Sequence, residues 1–210
     1  MTYTKIFEHL HQNPELSLEE FETTAFIKKI LTEEGIEILD LPLKTGLVAR
    51  ITGSKTGKKI AFRADMDALP LEEKTDLPYK SKNPGKMHAC GHDIHMTVGI
   101  ETAKILNQKK SELCGEVLFV FQPSEENGKG ALEVVKTGVL DEVEAIFSLH
   151  SSSLSAKSES KKARLRRPLI SSKSRFTEEA CTEQNRKTAV TRLRRAQRSF
   201  QPCRQSFPAT

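Results

Sequence analysis

Over the first 150 residues, short apolar runs alternate with helix-patterned stretches, and this alternation constrains the fold more than any other feature. The runs are Gly46–Ile51, Lys59–Ala64, Val117–Phe121 and Ala145–Leu149, and each ends where polar or charged residues cluster. Continuous apolar runs of this length, without polar alternation, predict strands buried on both faces. Helical spacing occupies residues 93–109 and 129–137 between them. Strands alternating with helices predict an α/β domain with a largely parallel sheet. An amphipathic helix should precede the sheet. Ser17 with Glu20 three residues later has the form of a capping box, and Leu18, Phe21, Ala25, Ile30 and Leu31 follow at helical spacing up to Gly35.

The pattern stops near His150, and so does the charge balance. Residues 1–150 carry 18 Lys+Arg against 24 Asp+Glu, net −6, whereas the last sixty carry 15 against 4, net +11. The formal charge of +5 therefore sums two unlike pieces. The tail, 151–210, is rich in Ser, Arg, Lys and Thr, poor in branched apolar residues, and has neither helical nor strand period. Such a composition buries too little surface to offset its ordering entropy, so a disordered basic tail is expected.

Several classes are excluded. The amino terminus, MTYTKIFEHLHQ, lacks a basic region followed by an apolar one, and no run reaches the ~18 apolar residues of a membrane span. No membrane partner and a cytoplasmic location are expected. Cys90, Cys114, Cys181 and Cys203 have no framework spacing, and Cys90 sits in a His-rich cluster, which points to thiol or metal chemistry. A basic tail can engage nucleic acid, but this one carries just three scattered aromatic residues, Phe176, Phe200 and Phe207, and no binding motif, so a nucleic-acid partner is not expected.

Open parallel sheets place chemistry in the loops beyond the carboxyl ends of their strands. Asp65 and Asp67 follow the run ending at Ala64, Glu125 and Glu126 follow the one ending at Phe121, and His150 follows the last. The segment Met87-His88-Ala89-Cys90-Gly91-His92-Asp93-Ile94-His95 packs a thiol, three imidazoles and a carboxylate into nine residues. A lone histidine is usually structural; this density is costly to bury without a cation. Thiolate, imidazole and carboxylate together favour zinc or another divalent first-row ion, with manganese suited if carboxylates dominate. An isolated Glu-Glu pair is usually a solvated turn. Here the pair ends an apolar strand, and its two side chains diverge, so one can ligate while the other acts as general base. Partial burial beside a neighbouring carboxylate would push such a base's pKa upward.

Four motifs carry a resemblance to a known family: His11-Gln12-Asn13-Pro14-Glu15-Leu16, Arg63-Ala64-Asp65-Met66-Asp67-Ala68-Leu69-Pro70, Met87 to His95, and Phe121-Gln122-Pro123-Ser124-Glu125-Glu126. The chain from His11 to His150 resembles the co-catalytic metallo-amidohydrolases, which include hippurate hydrolases, N-acyl amino acid deacylases, plant indoleacetyl-amino-acid hydrolases and, more distantly, carboxypeptidase G. The 36-residue interval from Cys90 to Glu126 and the 24-residue interval from there to His150 both fit that family. The resemblance implies that residues 1–150 are the amino-terminal half of a catalytic domain, a partial three-layer zinc-peptidase-like α/β fold. It implies Cys90, His92, Glu126 and His150 as metal ligands, Glu125 as general base, and two divalent ions per site, zinc or manganese. The implied substrate is an N-acyl amino acid or small peptide. Asp65 and Asp67 would support the site, by fixing loop geometry or orienting an imidazole, and His11 with Pro14 would form a helix-to-turn element. His88 and His95 either pack structurally or orient other side chains of the site.

Family members are nearly twice as long. They carry an inserted domain that makes a homodimer, a late metal-binding His and a His that stabilises the oxyanion, and this sequence has no His after position 150. The chain is therefore expected to have little activity. Permitted codons for Ser158 to Ile170, read in a shifted frame, give a peptide resembling the one members carry after the equivalent of His150, so a frameshift near codon 151 is the expected origin of the tail. The rival expectation is a non-catalytic metal-binding module whose tail engages a polyanion.

Overall fold

The computed structural model describes residues 1–151. The disorder expected of the tail, and its frameshifted origin, fall from residue 152 onward outside the described residues.

All four anticipated strands form. They are β2 (Leu47–Thr52), β3 (Lys55–Asp65), β4 (Cys114–Gln122) and β5 (Ala145–Ser148), joined by a two-residue β1 (Glu37–Ile38) in the order β1-β2-β4-β3-β5. β3 pairs in parallel with both β4 and β5, while β4 opposes β2 and β2 opposes β1. β1 consequently shares the direction of β3, β4 and β5, and β2 alone runs against them. The helices are α1 (Tyr3–Gln12), α2 (Phe21–Glu33), α3 (His92–Gln108) and α4 (Gly130–Lys136).

Both faces of the sheet are covered, as continuous apolar strands require. On one face Val117, Phe119 and Phe121 of β4 pack with Ile6 and Leu10 of α1, Ile27 and Leu31 of α2, and Met96 and Ile100 of α3. On the other, Leu118 and Val120 pack with Val134 of α4 and Val143. The result is three layers, with the carboxyl ends of β3, β4 and β5 along one edge. No helix among the described residues is long and apolar enough to cross a membrane.

The capping box does not form. α2 starts at Phe21, and the N–H groups of Glu22 and Thr23 donate to the carboxylate of Glu15 (3.2 and 2.7 Å). Ser17 Oγ instead donates to Asp67 Oδ2 (2.6 Å), and the carboxylate of Glu20 accepts from Thr45 and Ser124. Distant partners have taken both side chains, and a nearer acid satisfies the orphan helix donors.

His11, expected to form a helix-to-turn element, ends α1 and ties it to α3. Its Nδ1 donates to Asp93 Oδ2 (2.6 Å) and its Nε2 to Glu73 Oε1 (3.2 Å), with the imidazole 3% exposed. Burial lowers its pKa, but the hydrogen bond and charge of Asp93, reinforced by Glu73, raise it to about 9. A raised folded pKa contributes stability that is full below the unfolded value of 6.5 and is lost as pH rises through about 9. Denaturant titration should therefore show stability falling by about 3 kcal/mol between those limits. The difference between parent and His11→Leu should narrow across the same window, whereas a difference independent of pH would contradict the ion-pair assignment.

Candidate metal centre

The centre lies on the carboxyl edge of the sheet, where three strand ends meet the start of α3. β3 delivers Asp65 and then Asp67, β4 delivers the turn at Ser124 to Glu126, and β5 delivers His150. α3 begins with His92 itself, after Gly91 in the left-handed region (φ 78). A Cβ on Gly91 would also lie 2.4 Å from Ser151 Oγ, which donates to the Cys90 carbonyl (2.6 Å), so only glycine fits both the turn and this contact.

The two candidate imidazole ligands have their tautomers fixed by main-chain carbonyls. A carbonyl can only accept, so His92 Nδ1 donates to Asp67 O (2.7 Å) and His150 Nδ1 to Ser151 O (2.6 Å). In the neutral rings both Nε2 lone pairs are thereby left for another electrophile. His150 Nε2 lies 3.6 Å from Cys90 Sγ; His92 Nε2 is buried without a hydrogen-bond partner, 3.8 Å from Glu126 Oε1 and 4.0 Å from Glu125 Oε2.

Among the described residues, three sets of ligand atoms lie mutually within 4.8 Å: Cys90, His92 and His150; His92, Glu125 and Glu126; and Asp65, His92 and His95. His92 belongs to all three. All four anticipated metal ligands and Glu125 are thus drawn together around one imidazole. The sequence did not indicate the third set, although Asp65 ends β3 and His92 and His95 share a helix face at i, i+3 spacing.

The third set is better read as a hydrogen-bonded support. His95 Nε2 accepts from the Ser151 N–H (2.9 Å), so a neutral His95 carries its proton on Nδ1, which faces Asp65 Oδ2 at 3.6 Å. A protonated nitrogen cannot ligate. The other oxygen of Asp65 faces Arg63 at 2.5 Å, and Arg63 is itself held by Gln122. Of the two roles left open for His95, this favours orientation of Asp65. His88 is 1% exposed with neither ring nitrogen hydrogen-bonded, and burial lowers its pKa to about 4. It is a neutral core side chain.

Asp67 supports the centre twice. Besides holding His92 through its carbonyl, its carboxylate accepts from Ser17 Oγ, from Glu125 N–H (2.9 Å) and from Glu126 N–H (3.0 Å). Burial raises its pKa, but these bonds and His92 lower it to about 2.

The negative charge gathered at the centre acts on His92. Burial lowers its pKa, yet Asp67, Cys90 and Asp65 raise it to about 11. Burial raises the Glu126 carboxyl, with the charge of Glu125 adding to the shift. A thiol, two imidazoles and carboxylates whose field retains a proton on a buried imidazole are donors suited to a divalent cation in place of that proton. The orphaned Nε2 of His92 and Oε1 of Glu126 give the same indication.

A three-layer α/β sandwich that gathers these groups at the carboxyl edge of its sheet defines a candidate metal-binding α/β protein. More specifically, the chain belongs to the peptidase family M20/M25/M40, whose family model matches residues 61–200. It is 54% identical over 146 residues to the N-acetyl-L-cysteine deacetylase of Bacillus subtilis, covering 70% of this chain and 35% of that protein. It is 46% identical over 149 residues to the IAA-amino acid hydrolase ILR1-like 5 of Arabidopsis thaliana, covering 71% and 34%. A solved structure of the Bacillus subtilis YXEP protein, described as a dinuclear metal binding peptidase of the M20 family, superposes with a TM-score of 0.70 at 52% identity, covering 71% of this chain and 42% of that one. The chain thus spans little over a third of the length of these two curated relatives.

Proposed function

We propose that residues 1–150 form the metal-binding part of an amidohydrolase that cleaves the amide bond of N-acyl amino acids or small peptides in the cytoplasm. Cys90, His92, Glu126 and His150 hold divalent cations, zinc or manganese, two per site in the intact family. The observation that carries this reading is the buried, unpartnered Nε2 of His92, aimed at the carboxylates while its Nδ1 is fixed on Asp67. The deacetylase and amino-acid-conjugate hydrolase among the relatives support the substrate class.

When bound, the cation supplies positive charge that polarises the amide carbonyl. Glu125 is the base. Its side chain is about one-third exposed, against 11% for Glu126, so it faces the open side of the centre where water and substrate enter. It takes a proton from the attacking water and passes it to the departing amine, so a single carboxylate serves both half-reactions. Asp67 fixes the direction of both acids through their N–H groups, and Arg63 with His95 holds Asp65 beside His92.

At high protein concentration with added zinc or manganese, acetate release from N-acetyl amino acids should be sensitive to chelator. Glu125→Gln should reduce it to background while cation uptake persists. Release that survives Glu125→Gln, or cation uptake that disappears with it, would contradict the division of roles between Glu125 and Glu126.

A further inference from the structure

Glu20 makes the most distant polar contact in the centre's surroundings, 104 residues along the chain, and metal ligation does not account for it. Its side chain is fully buried, with Oε1 accepting from the Ser124 N–H (2.8 Å) and Oε2 from Thr45 Oγ1 (2.7 Å). Ser124 is also fully buried and immediately precedes Glu125. Its φ is 56, in the left-handed region; Leu18 (φ 65) is the other non-glycine residue there among the described residues. A non-glycine residue stays in that region only where its surroundings over-determine it. Those surroundings are explicit: the Ser124 N–H is held by Glu20, its carbonyl accepts from the Gly130 N–H (3.1 Å), and its Oγ donates to Asn127 Oδ1 (2.5 Å). An apolar side chain would fill the site of Glu20 without the desolvation of a carboxylate. The acid is explained by the backbone donor it serves.

We propose that Glu20 is a positioning residue of the metal centre: its carboxylate holds Ser124 in the left-handed turn that aims Glu126 at His92 Nε2 and leaves Glu125 facing the open side. The segment Glu15 to Glu20 is then a strap across the sheet edge. Ser17 secures the β3 loop through Asp67, the Glu15 carbonyl accepts from the Ala68 N–H (2.8 Å), and Glu20 secures the β4 loop through Ser124. The inference rests on the reading of Glu126 as a ligand.

The test is zinc affinity of the full 210-residue chain, measured by competition with a chromogenic chelator alongside thermal melting of the same samples. Glu20→Gln keeps an amide oxygen for the Ser124 N–H and should bind within about threefold of the parent. Glu20→Met fills a similar volume without an acceptor and should bind about 10- to 100-fold more weakly, the range for losing a group that orients a ligand. In a Ser124→Gly background the left-handed turn no longer needs holding. There Glu20→Met should cost only a few-fold. A purely structural Glu20 would lower the melting temperature and leave the affinity of folded protein unchanged, and that result overturns the proposal, as does an equal loss in both backgrounds. Should Glu20→Met not fold alone, the comparison is made in the Ser124→Gly background, and a loss beyond tenfold in Glu20→Gln means that Glu20 acts by charge and overturns positioning. A parent chain that takes up no zinc would sink the reading of the centre itself, whereas zinc uptake unaffected by Glu20→Met removes the positioning role alone.

Discussion

Replacing His92 by alanine is expected to weaken cation binding by at least about 100-fold, close to 3 kcal/mol. The size follows from geometry. Among the described residues His92 is common to all three groups of ligand atoms at the centre, so its loss removes a ligand atom from each of them. Among the described residues no neighbouring nitrogen is placed to substitute, because His95 is engaged with Asp65 and Ser151, and His88 belongs to none of the three groups. The pKa of His92, raised to about 11 despite burial by Asp67, Cys90 and Asp65, adds a second expectation. Throughout the neutral range a cation held by His92 must displace its proton, so binding of that ion should release a proton and tighten as pH rises. Calorimetry in buffers of different ionisation enthalpy measures that release, and a fall of about one proton in His92→Ala ties that share of it to the residue. Affinity within threefold of the parent would remove His92 from the centre.

Asp67→Ala should be the most destabilising single change near the centre, by about 3–5 kcal/mol. The carboxylate is fully buried and satisfies three donors, Ser17 Oγ and the N–H groups of Glu125 and Glu126. Removing it leaves all three without their charged acceptor, and each hydrogen bond to a charged group contributes about 1.5–3 kcal/mol. The same residue shapes the acid limb of stability. Its folded pKa, held by these bonds and His92 at about 2 against burial, lies below the ordinary 3.8, so its contribution is present above pH 3.8 and is lost as pH falls towards 2. Denaturant titration should show about 2 kcal/mol of acid-labile stability that Asp67→Ala lacks. An unchanged acid limb in the variant would show that the carboxylate is not held as described.

Much of this arrangement was legible in the sequence because it rests on pattern. Mainly apolar runs located β2 to β5, and helical spacing located α3 and α4, each to within a few residues. Parallel strands bring their carboxyl ends to one edge, so Asp65, Glu125, Glu126 and His150 could be expected together there even though the sequence separates them widely. α1 and β1 were not legible. α1 has no side-chain N-cap, and β1 is two residues long, held only by pairing Glu37 and Ile38 with β2. The capping box was misread for a related reason: Ser17 and Glu20 have the right local spacing, but buried donors and acceptors 50 and 104 residues away compete better than the exposed helix end. Local sequence specifies what a side chain can do; tertiary structure chooses among its partners. A supporting role for Asp67 was implied by the resemblance, but that it holds His92 through its main-chain carbonyl was not legible in its side chain.

X-ray absorption at the zinc edge of the zinc-loaded 210-residue chain tests the convergence on a shared cation most directly. The account predicts a sulfur neighbour at about 2.3 Å together with nitrogen and oxygen neighbours at about 2.0–2.1 Å, the sulfur signal vanishing in Cys90→Ser. A coordination shell of nitrogen and oxygen alone in the parent chain would contradict it.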